Sequence, residues 1–422
     1  MTLPRWLALL IRVLASVVLL YCGYLVCTRA IAEWHFRQSS PQGLRKAIQW
    51  DPQNPMYYAA LGRVLQNSTR ESDLDEVILL YEKATQLSPY AALYWAELGG
   101  AYETAGRAED ARRAYERAQE LFPNSPAINW QLGNFYIRQG ETEKALPALQ
   151  KVLLGDPSLW EQAFDLAWRA GTDPERVLTE MIPPEGAILF HYLNYLSLRQ
   201  RTPEAGQVWA KILALQLPFE PSAAFFYLES LVRNHRVEEL TVAWQELSRR
   251  QASSNLQQST DTNLVTNDGF ESTILNGGLD WRVSVLEDVV VSIDNLNFFD
   301  GTRSLRIQFS GEHNLDYHHV YQLIPVKPDT LYQFMGYIKT REITTDIGLR
   351  FEIYDAYDPP RLFLSTEDLT GTMSWTPQQL RFRTSPETQL LVIRLRRPPS
   401  SKFDNKIQGT AWIDRISLHP AE

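Results

Sequence analysis

Residues 95–123 read WAELGGAYETAGRAEDARRAYERAQELFP. Leu98, Gly99, Tyr102, Gly106, Ala111, Ala118 and Pro123 return 34 positions later as Leu132, Gly133, Tyr136, Gly140, Ala145, Val152 and Pro157. Only Ala118 changes residue. Seven positions held in phase mark an internal repeat of one supersecondary unit. The residue types explain the unit. Gly99 lets two antiparallel helices approach closely. Ala111 and Ala118 keep the second helix slim at the contact, and Pro123 cannot continue a helix.

The pattern Trp95-x2-Leu98-Gly99-x2-Tyr102, then Ala111, Tyr115, Ala118 and Pro123, resembles the tetratricopeptide repeat at each signature position. Weaker copies flank it. Upstream, Tyr58, Leu61, Gly62, Tyr81, Ala84 and Pro89 fit a repeat with extra residues around Asn67–Asp75, and Ala47 to Pro52 resembles the tail of a half repeat. Downstream, Phe164, Leu166, Ala167 and Ala170 begin a degenerate unit disturbed by Pro174 and Pro183-Pro184. Two looser helix pairs follow, with Ala205, Trp209 and Ile212, then Trp244 and Leu247. The expectation is five to six helix pairs over residues 33–250, stacked as a right-handed solenoid. Trp95, Tyr102, Tyr115 and Tyr136 belong to its core. Trp130, Asn134 and Arg138 follow i, i+4, i+8 on a face the signature does not use, and Phe164 and Trp168 take the equivalent face of the next unit. The resemblance puts this face on a concave groove, where it would hold a protein partner. Simple interhelical packing is the alternative.

Residues 251–263, QASSNLQQSTDTN, read as a linker. Beyond them the period changes from 3.6 to 2. Ser304–Phe309, Leu331–Ile338, Leu349–Tyr354, Leu380–Phe382 and Leu390–Leu395 are short strands punctuated by Gly, Pro, Asn and Asp. Residues 264–422 are therefore expected to form an antiparallel sandwich or jelly roll. The chain is thus multidomain: an N-terminal apolar helix at 1–32, an all-α solenoid, a linker and an all-β domain.

The ordered set Asn267-Asp268-Gly269-Phe270-Glu271, Trp281, Asp300-Gly301-Thr302-Arg303-Ser304-Leu305, Tyr321-Gln322-Leu323 and Ala411-Trp412-Ile413-Asp414-Arg415-Ile416 is similar to jelly-roll carbohydrate-binding modules of the galactose-binding-like superfamily. The resemblance implies one structural calcium ion joining the first and last strands through Glu271 and Asp414, completed by backbone carbonyls near Asp300 and Gly301. Arg415 stands where the family often has a second acid. No other cofactor is expected. Strand alternation supplies a candidate glycan face. With Tyr332, Phe334 and Ile338 inward, Tyr337 and Lys339 point outward. The same logic turns His319, Tyr321, Arg350, Glu352, Tyr354, Arg394 and Arg396 outward. Tyrosine rings suit sugar faces, and arginine forks suit carboxylate or sulfate groups, so the expected glycan is an acidic polysaccharide. A solvated face with arginines paired to Glu352 is the alternative.

At the other end, Val13–Thr28 is an uncharged apolar run, flanked by Arg12 and Arg29. It reaches the roughly 20 residues of a membrane span if both arginines snorkel. Trp6, Tyr21, Tyr24 and Trp34 add interfacial aromatics. A retained signal anchor is the first reading. Cleavage after Ala30-Ile31-Ala32 is the second, opposed by Arg29 ahead of that site. The charge flanks slightly favour the N-terminus inside and the bulk of the chain outside, so the expectation is a single-pass protein of the inner (cytoplasmic) membrane.

The 422 residues carry a net charge of −9, which argues against a general nucleic-acid binder. The two cysteines, Cys22 and Cys27, both lie in the apolar run and exclude a disulfide scaffold. No G-x-S-x-G, phosphate loop or H-E-x-x-H occurs, and His318 and His319 alternate across a strand, so the expectation is a scaffold rather than an enzyme. By analogy of architecture its setting would be exopolysaccharide or envelope assembly. The alternatives are an adaptor whose jelly roll binds no sugar and, last, a glycan-modifying enzyme.

Overall fold

The computed structural model describes residues 5–67, 74–252 and 263–421. The insertion expected around Asn67–Asp75 and the linker expected at 251–263 fall largely outside the described residues. The chain forms two compact units, Met1–Tyr192 and Leu193–Glu422.

The first unit begins with α1 (Arg5–Phe36) and continues through α2 (Pro41–Trp50), α3 (Pro55–Gln66), α4 (Leu74–Leu87), α5 (Ala92–Thr104), α6 (Ala108–Leu121), α7 (Pro126–Arg138), α8 (Thr142–Gly155) and α9 (Trp160–Arg169). Short α10 (Pro174–Arg176) runs into a π turn at Val177–Met181, where the degenerate repeat was expected to be disturbed. Several helices start on a cap followed by proline. Ser40, Asn54 and Ser125 accept backbone N–H bonds at the starts of α2, α3 and α7, and Pro41, Pro55 and Pro126 follow them. Gly106 and Gly140 take positive φ, 73° and 76°, where α5 and α7 end, a conformation that ends a helix without the cost a Cβ would bring.

The signature glycines do what their size requires. A Cβ on Gly99 would stand 2.8 Å from the Tyr115 ring, and one on Gly133 would stand 3.0 Å from Leu149. Tyr115 and Tyr136 are buried, and Trp95 and Tyr102 pack partly buried against the same cores.

Leu9–Phe36 is long and apolar enough to cross a membrane. Its last turns are also the first helix of the solenoid. Ala32 is buried with Ala47 and Tyr57, and Phe36 lies with its ring 5.2 Å from that of Tyr57. The helix therefore passes from apolar span to folded domain with no break.

The second unit opens on the end of α11 (Gly186–Leu198), then α12 (Thr202–Ala214), α13 (Phe225–Arg233) and α14 (Val237–Ala252). Its strands are β1 (Arg282–Val283), β2 (Val289–Asp294), β3 (Ser304–Ser310), β4 (Tyr317–Pro325), β5 (Leu331–Ile343), β6 (Arg350–Asp355), β7 (Phe363–Ser365), β8 (Gly371–Arg383), β9 (Leu390–Arg397) and β10 (Gln408–Pro420). They build two antiparallel sheets, β1-β4-β9-β6-β7 and β2-β3-β10-β5-β8, the sandwich the alternation predicts. Between them lies one apolar core including Trp281, Phe334, Phe351, Ile393 and Ile413. The helices from residue 202 onward cluster with the sandwich, so the compact division does not follow the change from helix to strand. Glu229 pairs with Arg282, Tyr357 donates its hydroxyl to the Val232 carbonyl at 3.0 Å, and the Tyr357 ring stacks on His235 at 3.9 Å.

Candidate functional site

Strand pairing decides which of the outward residues share a face. In the β1 sheet, Arg282 is opposite Tyr321, Tyr321 is opposite Arg394, Arg394 is opposite Glu352, and Glu352 is opposite Ser365. Arg396 is opposite Arg350 one step along, and Tyr354 is opposite Phe363 on the other side. Tyr321, Arg350, Glu352, Tyr354, Arg394 and Arg396 therefore come together on the outer surface of one sheet, while His319 sits at the irregularity between Tyr317 and Val320, its ring 5.5 Å from that of Tyr317.

At its centre is a carboxylate. Glu352 is 2% exposed and takes Arg394 Nη2 at 2.6 Å and Arg350 Nη2 at 2.8 Å, with Arg396 Nε at 3.8 Å. Arg396 also pairs with Asp316, and Arg350 reaches Asp368 at 3.4 Å. The guanidiniums are thus committed to carboxylates, the alternative arrangement that the sequence left open. A charge buried this deeply persists only when paired and hydrogen-bonded. Arg394 also lies 4.8 Å over the Tyr354 ring, and Arg282 lies 5.6 Å over Tyr321. Burial, ahead of an opposing effect from Arg394, raises the Tyr354 pKa. Burial and then His318 lower that of His319.

Tyr337 and Lys339 belong elsewhere. β5 is in the other sheet, so they look away from this face. There, Phe299 stacks on Tyr337 at 3.8 Å and 16°. Lys339 donates to Asn297 Oδ1 at 3.0 Å and lies 5.2 Å from the Trp412 ring. Both are occupied by their own chain. Alternation along one strand says in or out but not which of two sheets is meant. Phe363, half exposed beside Tyr354, joins the Glu352 face without any signal in the sequence. A three-residue strand carries no readable period, and only its pairing with β6 reveals it.

Glu271 and Asp414 do meet, but not as calcium ligands. Asp414 Oδ2 accepts from the N–H groups of Phe299 and Asp300, and Oδ1 from Arg415 N–H. Glu271 Oε1 accepts from Thr302 and Arg303 N–H, and Oε2 from the Thr302 hydroxyl. The loop turns N–H and O–H donors toward both carboxylates. Arg303 donates to the Glu271 carbonyl, and Arg415 pairs with Asp300 at 3.3 Å. Calcium needs six to eight oxygens. This donor set does not fit it. Burial, with Glu271 adding its charge, pushes Asp414 up to about 6. Among the described residues, no group of three or more His, Cys, Asp or Glu is placed to hold a metal ion.

In the repeats, the expected groove residues divide. Arg138 is exposed and grips Glu103 of the preceding repeat at 2.6 and 2.9 Å. Asn134 donates to the Trp130 carbonyl within its own helix at 2.8 Å, and Trp130 is half-buried. Phe164 is a correction. It is fully buried, its ring 4.8 Å from Tyr192 and 6.1 Å from His191, so it is core. Trp168 is half-buried. The i, i+4 rule gave both residues one helix face. It could not say that α11 (Gly186–Leu198) would close over the first of them.

A family model described as tetratricopeptide repeat matches residues 70–126, and a second of the same description matches 104–166. These residues are tetratricopeptide repeats. Protein O-mannosyl-transferase TMTC1 of Homo sapiens is 32% identical over 111 residues, covering 25% of this chain and 13% of that protein; the Mus musculus protein of the same name is 32% identical over 109 residues. The chain spans about an eighth of the length of these curated relatives. Among solved structures, the chain is similar to YrrB, titled a TPR protein with an unusual peptide-binding site, at 16% identity, covering 51% of this chain and 95% of that one with TM-score 0.27. It is also similar to TmCBM61, solved in complex with beta-1,4-galactotriose, at 17% identity, covering 38% of this chain and 99% of that one with TM-score 0.27.

Proposed function

We propose that this protein is a membrane-anchored, non-catalytic scaffold whose repeats hold a protein partner and whose sandwich holds a glycan. The observation that carries the glycan reading is the convergence of Tyr321, Tyr354 and three arginines around buried Glu352 on one outer sheet face. Such a face is rigid. Its guanidinium N–H groups are held in place for sugar hydroxyls, and half-exposed Phe363 beside Tyr354 offers flat apolar surface. Because the arginines are already neutralised, the ligand this geometry favours is a hydroxyl-rich neutral glycan rather than the acidic one expected from composition. The protein-binding reading rests on exposed Arg138 with half-buried Trp130, Asn134 and Trp168. The anchor reading rests on the continuity of α1, which carries the Ala30-Ile31-Ala32 segment as unbroken helix into the folded domain, where Ala32 is buried with Ala47 and Tyr57. Bacterial exopolysaccharide or envelope assembly, with the bulk of the chain outside the cytoplasmic membrane, is the setting we favour.

A glycan array with the full chain in detergent tests the site. Binding is expected, retained in high salt and lost in Tyr354→Ala with the fold intact. An empty array with folded protein overturns the glycan reading and leaves the adaptor. Salt-sensitive binding of acidic glycans alone overturns the neutral-ligand reading. Mass spectrometry of membrane-extracted protein should find the N-terminal peptide; a mature N-terminus at Glu33 would remove the anchor.

A further inference from the structure

The exposed apolar side chains of the first unit, α1 aside, are not scattered. Trp50, Met56, Tyr90, Leu93, Phe122 and Leu154 all stand at turns that lead from an even-numbered helix to the next odd one; only Leu79 lies elsewhere. The opposite turns, α1–α2, α5–α6 and α7–α8, carry Gln38, Ser39, Gly106, Arg107, Gln139, Gly140 and Glu141, and no large exposed apolar residue among those described. Alternating helices put these two sets of turns on opposite edges of the stack. The edges therefore differ in chemistry.

The position of α1 says what the apolar edge meets. α2 runs back along the end of α1. A Cβ on Gly43 would touch the His35 carbonyl at one end of this hairpin, and Arg29 lies 3.9 Å from Asp51 at the other. Arg29 is the first charge after the apolar run. The α2–α3 turn thus stands at the height where α1 leaves that run, and the α4–α5 turn is the next on the same edge. Trp34, on α1 just past Arg29, is 63% exposed, and Tyr90 is 81% exposed.

We infer that the α2–α3 and α4–α5 turns lie in the headgroup region of the bilayer that α1 crosses, with Trp50 and Tyr90 as interfacial anchors. This rests on the reading of α1 as a membrane span. Trp and Tyr favour this depth because one end of each ring is apolar and the other wet. Residues 50–56, 87–93, 121–126 and 154–160 contain no Lys or Arg. The contact therefore needs no anionic lipid, and salt does not release it. The repeats would be held close along the membrane rather than standing off it on a tether.

The test uses the full chain with Cys22→Ser and Cys27→Ser in phosphatidylcholine nanodiscs. A fluorophore is placed in turn at Leu19→Cys, Tyr90→Cys and Gln139→Cys, and helix content is checked for each. Lipid-borne quenchers should reach the labels at 19 and 90, and iodide the label at 139. Lipid quenching at 90 should exceed that at 139 by about twofold or more and survive high salt. A label at 90 that behaves like 139 overturns the inference while leaving the span. A label at 90 hidden from both quenchers means a protein covers the edge, and also overturns it. Failure at 19 removes the span itself.

Discussion

Arg394 holds Glu352 from the neighbouring strand with two nitrogens on one oxygen, Nη2 at 2.6 Å and Nε at 2.9 Å from Oε2. Arg350 takes the other oxygen from the same strand as Glu352. Removing the carboxylate strips Arg394 of its carboxylate partner and takes one of two from Arg350 and from Arg396. Glu352→Ala should cost about 3–5 kcal/mol in urea unfolding of the sandwich. A loss below about 1 kcal/mol would show the cluster to be well solvated.

The two sheets give glycan binding a clean control. Tyr354→Ala and Tyr321→Ala should each weaken binding, on the order of tenfold. Tyr337→Ala should leave it unchanged, because Tyr337 is on the other sheet under Phe299. Isothermal titration with the glycan found on the array distinguishes them; equal losses would place the ligand across both sheets.

Two carboxyls make the second unit less stable as pH rises. Burial pushes Asp280 up to about 6, against the N–H bonds from Leu275 and Trp281, and Asp414 up to about 6 as well. Each binds its proton more tightly folded than unfolded, so stability should fall between about pH 4 and pH 6, by up to roughly 3 kcal/mol per group. Asp294 acts in a different window. Burial opposes its charge, yet donors from Trp412, Leu296 and Asn297 hold it at about 2, so its contribution is present above about pH 4 and lost only as pH falls toward 2. Asp280→Asn should flatten the slope between pH 4 and 6; an unchanged slope would assign it to other groups.

Calcium and chelator should leave the melting temperature within about 1 °C, since nothing that binds the folded chain alone is being added or withdrawn. A rise with calcium that Asp414→Asn abolishes would mean that the 299–303 loop rearranges around the ion.

Gly99→Ala replaces the poorer helix former with the best one, yet should destabilise the first unit by about 1–3 kcal/mol, because the new methyl meets the Tyr115 ring. Urea unfolding followed by circular dichroism reads the sign, and a gain in stability would show that the ring moves aside freely.

The sequence by itself determined the repeats, because Gly99 and Tyr115 are a local pair whose contact is rebuilt one repeat later by Gly133 and Leu149. It also determined strands β3, β5, β6, β9 and part of β8, and which of their residues point in, since a period of two needs only the neighbours along one strand. What it could not determine was anything set by pairing at a distance. Tyr337 and Tyr354 have the same outward signature, and only the order β1-β4-β9-β6-β7 against β2-β3-β10-β5-β8 puts them on different surfaces. Phe164 matched the groove pattern of Trp130 until Tyr192, from α11, closed over it. Glu271 and Asp414 were brought together as expected, but the loop between Phe299 and Arg303 decided what faces them. Which end of a peptide group points at a carboxylate depends on backbone dihedrals fixed by the packed whole, and side-chain identity does not encode it.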